Sequence, residues 1–180
     1  QSAMRARGSY IEMGNFIAKL GTLASEAFNN NQELVLFAEQ VNKQMALSRT
    51  TTGEAQAAML QLSQALSSGR LQGDELRSIM EQVPMLAQTI AKHLGVSVGE
   101  MRNLASEGKI TATVVKNAVL GAAQETNAAF EDLPMTWGQV WNMAKNIAVK
   151  ALNPVLKLIN ALANNIEIIA PLVLGLGSAF

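Results

Sequence analysis

Through most of the chain, apolar residues recur three and four positions apart, the spacing that places them on one face of an α-helix. From Tyr10 the first such run is Met13, Ile17, Leu20, Ala24 and Ala27. Asn29-Asn30-Asn31 breaks it. Asn30, with Glu33 three residues on, has the spacing of a capping box that opens a second helix. Its inward face is Leu34, Phe37, Ala38, Val41 and Met45. Thr51 and Glu54 form a second box ahead of Ala55, Ala58, Met59, Leu62 and Leu66, and Gly69 is placed as a left-handed C-terminal cap.

Shorter helices follow. Asp74 to Gln82 carries Leu76, Ile79 and Met80 and leads to Val83, and Pro84 suits the first turn of a helix running through Leu86, Ile90 and Leu94 to Gly95. Ser97 and Glu100 make a third box, for a helix ending at Gly108. Thr111 starts a longer helix through Val115, Ala118, Val119, Ala122 and Phe130. Thr136 caps another that turns Trp137, Val140, Trp141, Ala144 and Ala148 inward, and Pro154 and Pro171 interrupt what comes after. No Asn-Gly or Asp-Gly hairpin and no period-two run is present. The predicted class is all-α: a compact multi-helix module of short capped helices, followed by long amphipathic and apolar C-terminal helices.

Composition agrees with helices and adds a boundary. The chain is 49% hydrophobic but only 4% aromatic, so its apolar mass is mainly aliphatic, a mixture that favours helices over sheets. It has no cysteine, which removes disulfides and thiolate metal sites. Charge sums to zero, which argues against a dedicated polyanion binder. The distribution is uneven: after Asp132 the only charged residues are Lys145, Lys150, Lys157 and Glu167. The pattern therefore divides into residues 1–133, a capped module, and residues 134–180, an apolar helical segment that starts at Pro134. Gln1-Ser2-Ala3 at one end and an apolar stretch reaching Phe180 at the other suggest a piece of a longer polypeptide, and no signal peptide is visible.

Chemistry-bearing patterns are few. His93 is the only histidine and has no Asp or Cys neighbour to orient it. Its place before Gly95 suits a cation at a helix C-terminus. Asp74 and Glu75 fall in a first helical turn, where the dipole accounts for them without acid–base work. There is no nucleophile elbow, phosphate-cradling loop or metal-ligand spacing, so no enzyme, cofactor or metal is expected. Ile90 to Ile110 has the form of a helix-turn-helix whose second helix would offer Arg102 and Asn103, with Lys109 just beyond, to DNA. Glu100 and Glu107 would be repelled by phosphates and cations are scarce, so specific DNA binding is the weaker alternative. Between Leu158 and Phe180 the only charge is Glu167, although Asn160, Asn164, Asn165 and Pro171 dilute the apolar run that a membrane span needs. A membrane-permeabilising helical bundle is a further alternative.

Two stretches carry a family likeness. One is Leu60-Gln-Leu-Ser-Gln-Ala-Leu-Ser-Ser-Gly-Arg-Leu-Gln-Gly-Asp-Glu-Leu-Arg-Ser-Ile-Met-Glu-Gln-Val-Pro84. The other runs from Leu86 through Leu94-Gly-Val-Ser97 and Gly108-Lys-Ile-Thr111 to Val114-Val-Lys-Asn-Ala118. Together they resemble the tail tape-measure proteins of long-tailed bacteriophages and prophages, most strongly from Thr50 to Thr136. Phe130-Glu-Asp-Leu-Pro-Met-Thr136, leading into a Trp-bearing helix, is also similar to that family's exit from this domain.

The resemblance implies a structural protein lying along the lumen of the virion tail tube, made in the host bacterial cytoplasm, whose length sets the tube length and which leaves when DNA is delivered. The partners it implies are other copies of itself, tail tube and tail-tip proteins, tail assembly chaperones and the host membrane during delivery. A ruler suits a helix, which converts residue number to length at about 1.5 Å per residue. On this reading Trp137, Trp141, Leu152, Leu156, Ile159 and Leu162 pack against another copy, and Ile168, Ile169, Leu172, Val173 and Leu174 meet lipid.

Overall fold

A computed structural model describes residues 7, 10–135 and 137–164, with positions 10, 137, 155, 156 and 158–164 described by backbone alone. Among the described residues the chain is all-α, without a strand. Helix α1 is Tyr10–Leu23, followed by a 3-10 turn at Ser25–Ala27 and by α2, Asn31–Leu47. Then come α3, Thr52–Ser67; α4, Gly73–Gln82; α5, Pro84–Leu94; and α6, Val98–Ser106. Helices α7, Ala112–Gly121, α8, Ala123–Glu131, and α9, Trp137–Asn164, complete it.

The caps form from the residues whose spacing suggested them. Thr51 with Glu54 and Ser97 with Glu100 make complete reciprocal boxes at the starts of α3 and α6. At α2 the box is shifted. The Asn30 side chain accepts from the Glu33 N–H at 2.9 Å, but the Glu33 carboxylate returns to the Asn29 N–H at 2.6 Å instead of to Asn30. Its other oxygen reaches Lys116 on α7 at 3.2 Å, so this cap also ties two helices together.

Helix α2 is enclosed by α1, α5, α7 and α8. Its apolar side buries Leu34, Phe37, Ala38, Val41 and Met45, and Phe37 meets Phe28 edge-on at 5.3 Å. Its other side is also buried, yet polar: Glu39, Gln40, Lys43 and Gln44. Buried polar groups need partners, and α8 supplies most of them. Asn127 Oδ1 accepts from Lys43 Nζ at 2.7 Å and from Gln40 Nε2 at 3.1 Å, while Gln44 Nε2 donates to Thr126 Oγ1 at 3.2 Å. Glu39 pairs with Lys43 at 3.0 Å. Phe130 completes the seam, with the Lys43 ammonium 5.6 Å and the Arg7 guanidinium 4.6 Å from its ring centre.

Two connections with the same local structure meet in the module. After α3, Gly69 adopts φ +81°, and the N–H groups of Gly69 and Arg70 return to the carbonyls of Leu66 and Ala65. After α6, Gly108 adopts φ +71°, and the N–H groups of Gly108 and Lys109 return to Ala105 and Leu104. This is the Schellman ending, which favours glycine because a Cβ is strained there. Both exits turn the chain inward, and they meet. Leu71 N–H donates to Ile110 C=O at 2.7 Å and Ala112 N–H to Gly69 C=O at 2.8 Å, forming an isolated antiparallel bridge between Arg70 and Thr111. Leu71 and Ile110 are fully buried beneath it.

Four details depart from the sequence pattern. The helix expected from Thr111 to Phe130 is two, because the chain turns at Ala122 and sends α8 along α2. The face of α1 runs through Met13, Phe16 and Leu20, with Ile17 only partly buried, and α1 stops at Leu23. Pro154 does not interrupt the last helix, since α9 continues through it. Proline deprives the Lys150 carbonyl of its helical partner, but residues 150–154 are all exposed, so water reaches that carbonyl. Finally, Val140, Trp141, Ala144 and Ala148 do not face inward but are exposed. The proposed cap Thr136 and the break at Pro171 lie outside the described residues.

Replacing Asn127 with alanine should lower stability by about 1–3 kcal/mol in urea unfolding, because it removes the acceptor of the Gln40 amide and one of the two acceptors of the buried Lys43 ammonium, which keeps only Glu39. Acid should weaken the caps. Hydrogen bonds from the Asn29, Thr51 and Ser97 backbone N–H groups, together with the Thr51 and Ser97 hydroxyls, hold the carboxyls of Glu33, Glu54 and Glu100 below their ordinary value of 4.5. Groups with depressed folded values contribute stability that is present above about 4.5 and is lost as pH falls through those lowered values. Thermal unfolding followed between neutrality and pH 3 should therefore show its steepest loss below about 4.5.

Candidate functional site

No group of His, Asp and Glu among the described residues could hold a metal ion. His93 is exposed in the last turn of α5, on an open groove of about 390 Å³ between α5 and the α7–α8 elbow. Its charged neighbours there, Lys92 and Glu125, are paired with each other at 2.6 Å across the groove. Both partners are well exposed, so the pair adds little to stability.

The helix-turn-helix corner exists, as α5, Gly95 at φ +70°, and α6. Its proposed contacts do not converge on an anion. Arg102 and Asn103 are exposed on α6, whereas Lys109 is paired with Glu107 at 2.6 Å. The Glu100 carboxylate sits at the N-terminus of α6, held by the Ser97 hydroxyl at 2.7 Å and N–H at 2.9 Å. A recognition helix would meet phosphates or base edges with that end, and here it presents a negative charge. The corner is architectural: Met101 and Ala105 of α6 are buried in the core.

What the structure leaves open is α9. None of the helices that pack on one another includes it as a substantial partner. Its first turns approach the module, where Gly138, Gln139 and Asn142 border a cleft with Met45, Arg49 just after α2, and Met59 of α3. Beyond that, large apolar side chains face solvent: Trp141 is 66% exposed, Leu152 56% and Ile147 53%. Of the residues expected to pack on another copy, Trp141 and Leu152 are thus brought out on one arm. Trp137, Leu156, Ile159 and Leu162 are positions of the same helix, but their side chains lie outside the described residues. Ile168, Ile169, Leu172, Val173 and Leu174, expected to meet lipid, fall wholly outside them.

Residues 1–157 match the family described as tape measure protein. That span takes in the whole capped module and most of α9. The chain belongs to the tape measure protein family. No curated protein matches it, and no solved structure does. Membership makes the tape-measure segment a structural component of a phage tail. Among the described residues, no helix is long and apolar enough to cross a membrane; the apolar run from Leu158 to Phe180 weighed as a membrane span lies mostly outside them. For α9 the physical reason is composition: it is 28 residues long, but Lys145, Lys150 and Lys157 are spread along it.

If α9 is an arm and not part of the core, the two classes of aromatic substitution should separate. Trp141→Ala should change the urea-unfolding free energy by no more than about 0.5 kcal/mol, as surface changes do. Phe37→Ala should cost about 3–5 kcal/mol. A comparable loss for both would place α9 within the cooperative core.

Proposed function

We propose that this tape-measure segment is a folded station on a longer ruler, lying in the tail tube lumen and helping to set tail length during assembly. The family match, which spans the module and most of α9, carries this reading. Synthesis in the host bacterial cytoplasm and contacts with other copies, tail tube and tail-tip proteins and assembly chaperones fit the role. Departure from the tube at genome delivery, with contact to the host membrane, completes it. The alternatives, DNA reading and a membrane-permeabilising bundle, have no specific observation in their favour.

Compactness limits what the module contributes to length. A continuous helix advances about 1.5 Å per residue, but α1 to α8 fold back on one another around α2 and span far less. Length would therefore come from helical stretches outside the module.

An in-frame deletion of residues 10–131 from the phage gene tests this. Tail length measured by negative-stain microscopy should shorten by well under about 1.5 Å per deleted residue, with the main loss falling on DNA delivery. Shortening in full proportion to the deletion would mean that the module is an extended part of the ruler and would overturn the reading.

A further inference from the structure

We propose that α9 is a docking surface for an anionic lipid bilayer, lying along the interface without crossing it. This extends the membrane contact proposed above and rests on that part of the reading, but it is independent of length setting.

Three observations on one helix carry it. First, exposed apolar side chains recur at helical spacing: Val140, Trp141, Ile147 and Leu152, with exposed Ala144, Ala148 and Ala151 between them. Second, every charge on α9 has the same sign. Lys145, Lys150 and Lys157 are all exposed, and no acidic residue occurs between Asp132 and Glu167. Third, α9 lacks the uninterrupted apolar length of a span, so its apolar side and its lysines must act side by side. Lysines around an apolar stripe that carries tryptophan describe a helix seated at the headgroup level, with the stripe among acyl chains and the ammonium groups reaching to phosphates.

The same charges select between occupants. A second copy of α9 laid against this face would bring three more lysines and no carboxylate, so the pair would gain no compensating charge. An anionic headgroup layer compensates all of them. Each lysine held near such a surface contributes a factor of about five in affinity, so three together contribute on the order of a hundredfold. Pro154 is compatible with this seat, because the carbonyl it orphans lies in an exposed stretch that includes Lys150 and is already solvated.

The test uses the purified 180-residue chain with vesicles of phosphatidylcholine, with or without phosphatidylglycerol. Both tryptophans, Trp137 and Trp141, lie on α9, so their emission reports on this helix alone. Expected are a blue shift and co-sedimentation on the anionic vesicles, reversed by high salt and weakened on the order of a hundredfold in the triple variant Lys145→Gln, Lys150→Gln, Lys157→Gln. A second variant changes Ile168, Ile169, Leu172, Val173 and Leu174 to serine and should keep the anionic preference. Circular dichroism confirms that each variant is folded. Equal partitioning onto neutral vesicles, unchanged binding by the triple variant, or loss of binding only in the serine variant would overturn the proposal. So would a lipid-free dimer, seen by sedimentation, in which the tryptophans are already shielded and vesicles are ignored. Tail length is measured on assembled particles, so the ruler reading and this one fail separately.

Discussion

Burying a polar side of a helix together with its apolar side is the constraint on which the rest of this structure depends. Helix α2 contributes Phe37 and Val41 to the apolar core, yet Glu39, Gln40, Lys43 and Gln44 are buried as well. Glu39 neutralises Lys43 from the same helix, but the ammonium's further donors and the Gln40 and Gln44 amides still need acceptors, which a partner element must carry at the right height. Asn127 and Thr126 of α8 do so. To reach them, the chain must turn at Ala122, and that turn in effect sets the direction in which the chain leaves the module toward α9. The polar seam thus fixes an exit as well as a contact.

Away from the seam, the α3–α4 and α6–α7 connections are joined by backbone and not by side-chain chemistry. Gly69-Arg70-Leu71 and Gly108-Lys109-Ile110 are two copies of one local solution: a left-handed glycine, a basic residue turned outward, and an apolar residue buried. Their meeting in a two-bond bridge joins the α3–α4 and α6–α7 connections. Such a bridge adds modest stability. Its greater consequence is register, because it sets where α4 and α7 begin relative to one another.

Much of the module was legible from residue spacing. Helical periodicity located α2 through α6 closely, and the boxes at Thr51 and Ser97 fixed two starts. These signals are local, and local signals survive in sequence. What periodicity could not show was the break at Ala122, since Val115 to Phe130 keeps a helical apolar spacing across it. The bridge was also hidden, although the recurring Gly-basic-apolar tripeptide was a readable hint. Pro154 misled in the other direction: proline disfavours a helix interior, but the cost is bearable where the freed carbonyl meets water.

For α9 the division is sharper. Sequence by itself determined that the segment is helical and amphipathic, that its charge is all positive over a long stretch, and that the class is all-α. Those properties follow from the order of side chains along one element. Whether the apolar side is covered depends on what the remaining helices leave room for. The eight preceding helices already satisfy one another around α2, so Trp141, Ile147 and Leu152 find no place in that core. Only the tertiary structure could turn an expected inward face into an exposed arm, because burial is a property of the neighbours and not of the pattern.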